Sequence, residues 1–160
     1  MKPSPRLLTI VLLLPVLIAI DLAVKEWAHA TIQTGSYTSL WAGFGLTHGY
    51  NPGISFSLFD GFPVAVLAVT GAITAAVLGW LAFTKDQRNI VPIGLISAGA
   101  LANFIDRLIH GAVTDIFVIG PPQAPLFTNN LADFWISFGV VAMVLQSVKI
   151  GRRPSVSNFR

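Results

Sequence analysis

The sequence predicts an all-α membrane protein with four transmembrane helices and short outward-facing strands in the first external loop. Three observations carry that prediction. Hydrophobic residues make up 54% of the 160 and charged residues only 11%, with a mean hydropathy of +0.72. Ordinary soluble domains carry about 25% charged residues, so this chain has more apolar surface than one soluble core of its length can hide. Four long apolar stretches divide the chain, and six of its seven acidic residues fall at or beyond the same end of those stretches.

The first stretch runs from Leu7 to Val24, interrupted by Asp21, and the second from Phe62 to Phe83. The third spans Ile90 to Ile105 and the fourth Phe134 to Val148. The third gives only about 24 Å of helix, short of a hydrocarbon core of about 30 Å, so its polar end residues are expected at the water boundary. The expected organisation is one membrane-embedded domain, 1–160, with spans near 7–24, 62–83, 90–106 and 133–149 and external loops 29–61 and 108–132. Small residues at Gly71, Ala72, Ala75 and Ala76 in the second stretch and at Gly94, Ser97, Ala98 and Ala102 in the third favour close helix contact.

Basic residues set the orientation. Lys2 and Arg6 precede the first span, Lys85 and Arg88 lie between the second and third, and Lys149, Arg152, Arg153 and Arg160 follow the fourth. Only Lys25 and Arg107 fall on the other side, so the positive-inside rule puts both termini in the cytoplasm. Asp21, Glu26, Asp60, Asp106, Asp115 and Asp133 then face outward. Ala28-His29-Ala30 after an apolar run also fits a cleavable secretion signal, but Asp21, Lys25, Glu26 and Trp27 crowd a region that should be small and neutral.

In the first external connection, partial alternation around Ser36 to Trp41 predicts short strands at the membrane surface. In the second, Gly111, Gly120, Pro121, Pro122 and Pro125 read as turns. Trp27, Tyr37, Trp41, Phe44, Tyr50, Phe56 and Phe59 suit the headgroup zone as an aromatic belt.

Carboxylates gathered at one membrane face are costly to keep, which directs attention to them. Asn103-Phe104-Ile105-Asp106 and Asn130-Leu131-Ala132-Asp133 share an Asn-x-x-Asp spacing that puts amide and carboxylate on one helix face. Simpler readings stand beside a functional one. Asn130 and Asp133 suit a helix N-cap, Asp106 with Arg107 a boundary ion pair, and Asn51-Pro52-Gly53 a turn. Asp21 and Lys25, four apart, read most simply as an intrahelical ion pair.

Taken in order, Asp21-Leu22-Ala23-Val24-Lys25, Asn51-Pro52-Gly53-Ile54-Ser55-Phe56, Gly99 to Arg107, Gly111-Ala112-Val113-Thr114-Asp115 and Asn130-Leu131-Ala132-Asp133 resemble the lipoprotein signal peptidases, or signal peptidase II. Each motif alone is weak, whereas five in sequence, reaching from the first span to the fourth, are specific. The resemblance implies a bacterial inner-membrane aspartic endopeptidase, with four transmembrane helices and a small outward-facing β-cradle in the first external loop, that cuts a prolipoprotein just before its diacylglyceryl-modified cysteine. It implies Asp115 and Asp133 as the catalytic pair. Asn51, Gly53, Asn103, Asp106, Arg107 and Asn130 fall where the family keeps its polar lining, and Asp21 and Lys25 where it keeps a supporting pair. The chain departs from the family pattern at Ser57, Ala102, Ile116 and Asn129, positions that bear on packing and pocket shape rather than on the carboxylates.

Two carboxylates suit this chemistry. When close together they share one proton, so one takes a proton from water while the other polarises the peptide carbonyl. Asn103 and Asn130 are expected to donate amide hydrogen bonds, and Arg107 to pair with Asp106 or hold a substrate carbonyl. The chain has no cysteine, which excludes thiol nucleophiles and disulfides. His29, His48 and His110 are expected as separate surface residues in outward loops without ligand spacing, so neither metal nor cofactor is expected. The net charge of +3 reflects basic flanks suited to anionic membrane lipid, not nucleic acid. A monomer is the simpler expectation. A small ion or proton carrier is the alternative from another class, and it requires acids spread through the membrane depth.

Overall fold

The computed structural model describes residues 5–53, 61–121 and 123–151. Lys2, Asp60, Pro122, Arg152, Arg153 and Arg160 lie outside them, as do Ile54, Ser55, Phe56, Ser57 and Phe59; the side chains of Arg6 and Lys149 are likewise not described. Four helices, α1 (Pro5–Thr31), α2 (Pro63–Phe83), α3 (Ile90–His110) and α4 (Leu131–Gly151), are joined by four strands, β1 (Tyr37–Trp41), β2 (Phe44–Asn51), β3 (Val113–Ile119) and β4 (Phe127–Asn129). All four helices are long and apolar enough to cross a membrane.

Both α1 and α3 run past the polar ends of their apolar stretches. α1 has 27 residues, roughly 40 Å, and passes Lys25 and Ala28-His29-Ala30 to end at Thr31. α3 continues through Asp106 and Arg107 to His110, making about 31 Å of helix. The third helix is therefore longer than the short span expected, and Asp106 near its end is fully buried, with its charge met by partners within the protein. The helix stops at Gly111, whose φ of 77° lets its N–H close on the Arg107 carbonyl at 2.9 Å.

α3 is the most buried helix and packs against the other three. Its Gly94, Ser97, Ala98 and Ala102 are buried as expected. At Gly99 a Cβ would run into the Ala132 carbonyl of α4, so the missing side chain lets the two backbones approach. In α2 the expectation fails in part. Gly71 meets Phe104, but Ala72, Ala75 and Ala76 are exposed, and Thr74 instead turns inward to the Ala100 carbonyl at 3.4 Å. A helix with apolar residues all round carries little information about which face is buried.

The sheet has order β1-β2-β3-β4 and is antiparallel throughout. Strands were expected in the first connection alone. β3 and β4 come from the second, so the cradle is built by both. β3 is a central strand, hydrogen-bonded on both edges, and its Val-Thr-Asp-Ile-Phe-Val-Ile run is buried on both faces near its start, which removes the alternation that marks half-exposed strands. Within the aromatic belt, Trp41 is 81% exposed, whereas Phe44 stacks on Phe117 with ring centroids 6.2 Å apart and Tyr37 donates to the Gly120 carbonyl at 3.3 Å. Those two rings hold the sheet together.

Candidate active site

The sheet closes one end of the bundle, where α1 and α3 finish and α4 begins. The start of α4 sets the site. Asn130 precedes it and accepts the Asp133 backbone N–H on Oδ1 at 3.1 Å, while the Asp133 carboxylate accepts the Asn130 backbone N–H at 3.3 Å. This reciprocal pair satisfies helix-end donors that have no intrahelical partner. The capping reading of Asn130 is thus correct, and it is not the whole role. The same side chain turns its Nδ2 to Asp115 and donates to Oδ1 at 3.2 Å. Fully buried, Asn130 bridges the two acids that the sequence separates.

Asp115 sits on β3 opposite Gly49 of β2. Its other oxygen accepts from the Thr128 hydroxyl of β4 at 2.9 Å. Burial pushes its carboxyl above the ordinary aspartate value, and the nearby Asp133 carboxylate pushes the same way, against the hydrogen bonds from Thr128 and Asn130. Thr128 was not among the expected site residues. Its one signal in the sequence is a hydroxyl two residues before Asn130, in a connection that reads as loop.

Asp133 is held from the other side. Asn103 of α3 donates to its Oδ1 at 2.9 Å and accepts Lys25 Nζ at 2.7 Å. Inside the protein, Lys25 Nζ donates to Asn103 and forms ion pairs with Asp21 at 2.8 Å and Asp106 at 3.2 Å. Asp21 and Lys25 form the expected i,i+4 pair, yet both are only 1% exposed, so this is a buried network rather than a boundary pair. Asp21 also accepts the Ala132 N–H at 2.8 Å, tying α1 to the first turn of α4. Asp106 accepts the Thr114 N–H at 2.7 Å and so anchors β3 one residue before Asp115.

Asp115, Asp133, Asn51, Asn103 and Arg107 line one cavity of about 790 Å³. Its remaining walls mix the β4 edge, through Phe127 and Thr128, with apolar positions such as Ile73 and Ile136. Arg107 makes no ion pair with Asp106 among the described residues. Its guanidinium reaches 2.8 Å to the Gly53 carbonyl, fastening the Asn51-Pro52-Gly53 turn to the cavity rim. Asp106, Asp21 and Lys25 lie behind the cavity wall, where they position the residues in front.

The histidines depart from expectation. His29 lies within α1, His48 on β2 and His110 at the last turn of α3. They converge, with ring centroids 4.3 Å apart for His29 and His110 and 4.6 Å for His29 and His48. Separation in sequence concealed a meeting that only helix packing and strand register produce.

The family model for signal peptidase (SPase) II matches residues 13–149 of the chain. Similar relatives include a lipoprotein signal peptidase of Lactococcus lactis subsp. lactis (strain IL1403), 35% identical over 143 residues that cover 88% of this chain and 93% of the relative. Another is the lipoprotein signal peptidase of Mesorhizobium japonicum, 31% identical over 151 residues and covering 90% and 89% of the two chains. In fold, the chain is similar to a bacterial membrane enzyme solved by the in meso method at 2.3 Å, with a TM-score of 0.79, 24% identity and coverage of 95% and 94%. With matching fold, matching relatives over nearly their whole length, and a family model that runs from the first helix to the last, the chain belongs to the signal peptidase II family, the lipoprotein signal peptidases.

Proposed function

We propose that this protease removes the signal peptide from diacylglyceryl-modified prolipoproteins through an aspartic mechanism, with Asp115 and Asp133 as the catalytic pair. The observation that carries the mechanism is that both carboxylates line one cavity and both accept hydrogen bonds from one buried residue, Asn130, whose side-chain amide donates to Asp115 and whose backbone N–H donates to Asp133. Membership of the family supports removal of signal peptides from prolipoproteins and weighs against a carrier. The acids also gather at the sheet end instead of being spread along the helices.

The pair shares one proton. The ionised member takes a proton from a water molecule as its oxygen attacks the scissile carbonyl, and the protonated member donates to the carbonyl oxygen. As the tetrahedral intermediate collapses, the C–N bond breaks and the departing amine takes up a proton from the pair. Asn103 and Asn130 orient the two carboxylates through donated hydrogen bonds, and Thr128 fixes the remaining Asp115 oxygen. Asn51, Gly53 and Arg107 form the rim that meets the peptide, and Asp106, Asp21 and Lys25 hold the cavity wall in place.

In this proposal the chain acts as one membrane-embedded unit and as a monomer in the bacterial inner membrane. Both termini are cytoplasmic, and the cavity lies near the outer boundary, open to lipid so that the diacylglyceryl chains stay in hydrocarbon while the peptide reaches the acids. The test is incubation of the purified protein with a diacylglyceryl-modified prolipoprotein, followed by detection of the released signal peptide. Asp115→Asn and Asp133→Asn should each abolish release while expression and folding persist; a fully active variant of either refutes the pair.

A further inference from the structure

Apart from the acid-lined cavity, the sheet end holds a second polar centre, which shares only Asp106 with the supports of the cavity wall. Asp106 and His110 lie one turn apart on α3, with His110 Nδ1 2.8 Å from Asp106 Oδ1. From α1, His29 stacks on His110, and Glu26 Oε1 comes within 3.4 Å of His110 Nε2. One ligand atom from each of His29, Asp106 and His110 lies within 4.8 Å of the others. His48, 3% exposed, packs edge-on against His29. Its Nδ1 is 3.0 Å from the Ile32 carbonyl, a contact in which only the ring N–H can donate. That bond fixes the tautomer and leaves Nε2 as a buried lone pair with no hydrogen-bond partner among the described residues.

We propose that His29, Asp106 and His110 form a binding site for a divalent transition-metal ion such as Zn²⁺. Two imidazoles with carboxylate oxygens select Zn²⁺, Cu²⁺ or Ni²⁺ over Mg²⁺ and Ca²⁺, which prefer all-oxygen shells. The metal takes the place of the proton between His110 and Asp106. Bonds of about 2.0–2.2 Å to each require those atoms to part by a few tenths of an ångström, and the third ligand atom to move in. Supporting contacts already orient the set. The second Asp106 oxygen is held by the Thr114 N–H and by Lys25, and the Tyr50 hydroxyl lies 3.2 Å from His29 Nδ1. Outer contacts of this kind fix ligand geometry at metal sites. With Asp21, Glu26 and Asp106 set against Lys25, the region carries a surplus of negative charge that favours a cation.

The experiment uses the full chain in detergent, without a polyhistidine tag and stripped with chelator, then titrated with Zn²⁺ against a chromophoric chelator. One Zn²⁺ per chain is expected, with affinity lowered at least tenfold in His29→Gln and in His110→Gln and unchanged in Asp86→Asn at the opposite end. Heat unfolding of each variant without metal verifies that it is folded, and in the parent the midpoint should rise on adding Zn²⁺ and not on adding equal Mg²⁺. Absence of stoichiometric Zn²⁺ binding, equal binding by folded histidine variants, or an equal response to Mg²⁺ each overturns the assignment. None of these readouts depends on cleavage, so the metal site and the proposed protease mechanism stand or fall separately.

Discussion

Replacing Lys25 by Met removes one ammonium and leaves the shape of the side chain nearly intact, so its effect reports the network it neutralises. In the native protein Nζ contacts Asp21 at 2.8 Å, Asp106 at 3.2 Å and Asn103 at 2.7 Å, all buried. Without it, Asp21 and Asp106 lose their buried cation: Asp21 keeps the Ala132 N–H, and Asp106 keeps the Thr114 N–H and His110. Breaking a buried pair by deleting one member costs about 3–5 kcal/mol, a large share of a typical stability of about 5–15 kcal/mol. Asn103 also loses the donor that fixes its amide, so its grip on Asp133 loosens. Lys25→Met should unfold at clearly lower denaturant in mixed micelles and cleave prolipoprotein at least tenfold more slowly. The double variant Asp21→Asn/Lys25→Met should regain part of the lost stability, because one stranded charge is gone. A Lys25→Met protein as stable and as active as the parent would refute the reasoning that this cation holds the wall of the cavity.

Further outcomes follow from individual contacts. Native Asp115 keeps its proton to higher pH than the unfolded chain does, so the native state binds more protons within that window and stability falls as pH rises through it. Asp115→Asn should therefore be inactive yet more stable than the parent at neutral pH, with the difference vanishing below the ordinary aspartate value of 3.8, as read by unfolding midpoints across pH. Thr128→Val removes a hydrogen bond that opposes the rise at Asp115, so cleavage should slow about tenfold, the equivalent of roughly 1.4 kcal/mol. The alkaline limb of its pH profile should also move upward, whereas an unchanged profile would count against the contact. Gly99→Val should push α4 away from α3 at Ala132 and lower both heat stability and turnover, while Gly79→Val, at a position with open space, should leave both near parental values.

The sequence by itself determined the membrane class, the four helices and the identity of the polar residues, because apolar length and charge asymmetry are local properties that need no knowledge of packing. It also made the order of motifs visible, and with it the family. What it could not decide was which polar groups meet. Lys25 and Asn103 are 78 residues apart, and Asp21 reaches the backbone of Ala132 across 111; only the packing of α1, α3 and α4 brings them within bonding distance. The true ends of α1 and α3 were hidden for the same reason, since the charges near them are neutralised by partners from other helices. β3 escaped notice because a strand covered on both faces loses its alternation, and Thr128 because its value depends on the turn that returns β4 to Asp115. The histidines make the same point: three residues that look unrelated along the chain become one cluster when two helix ends and a strand are set side by side.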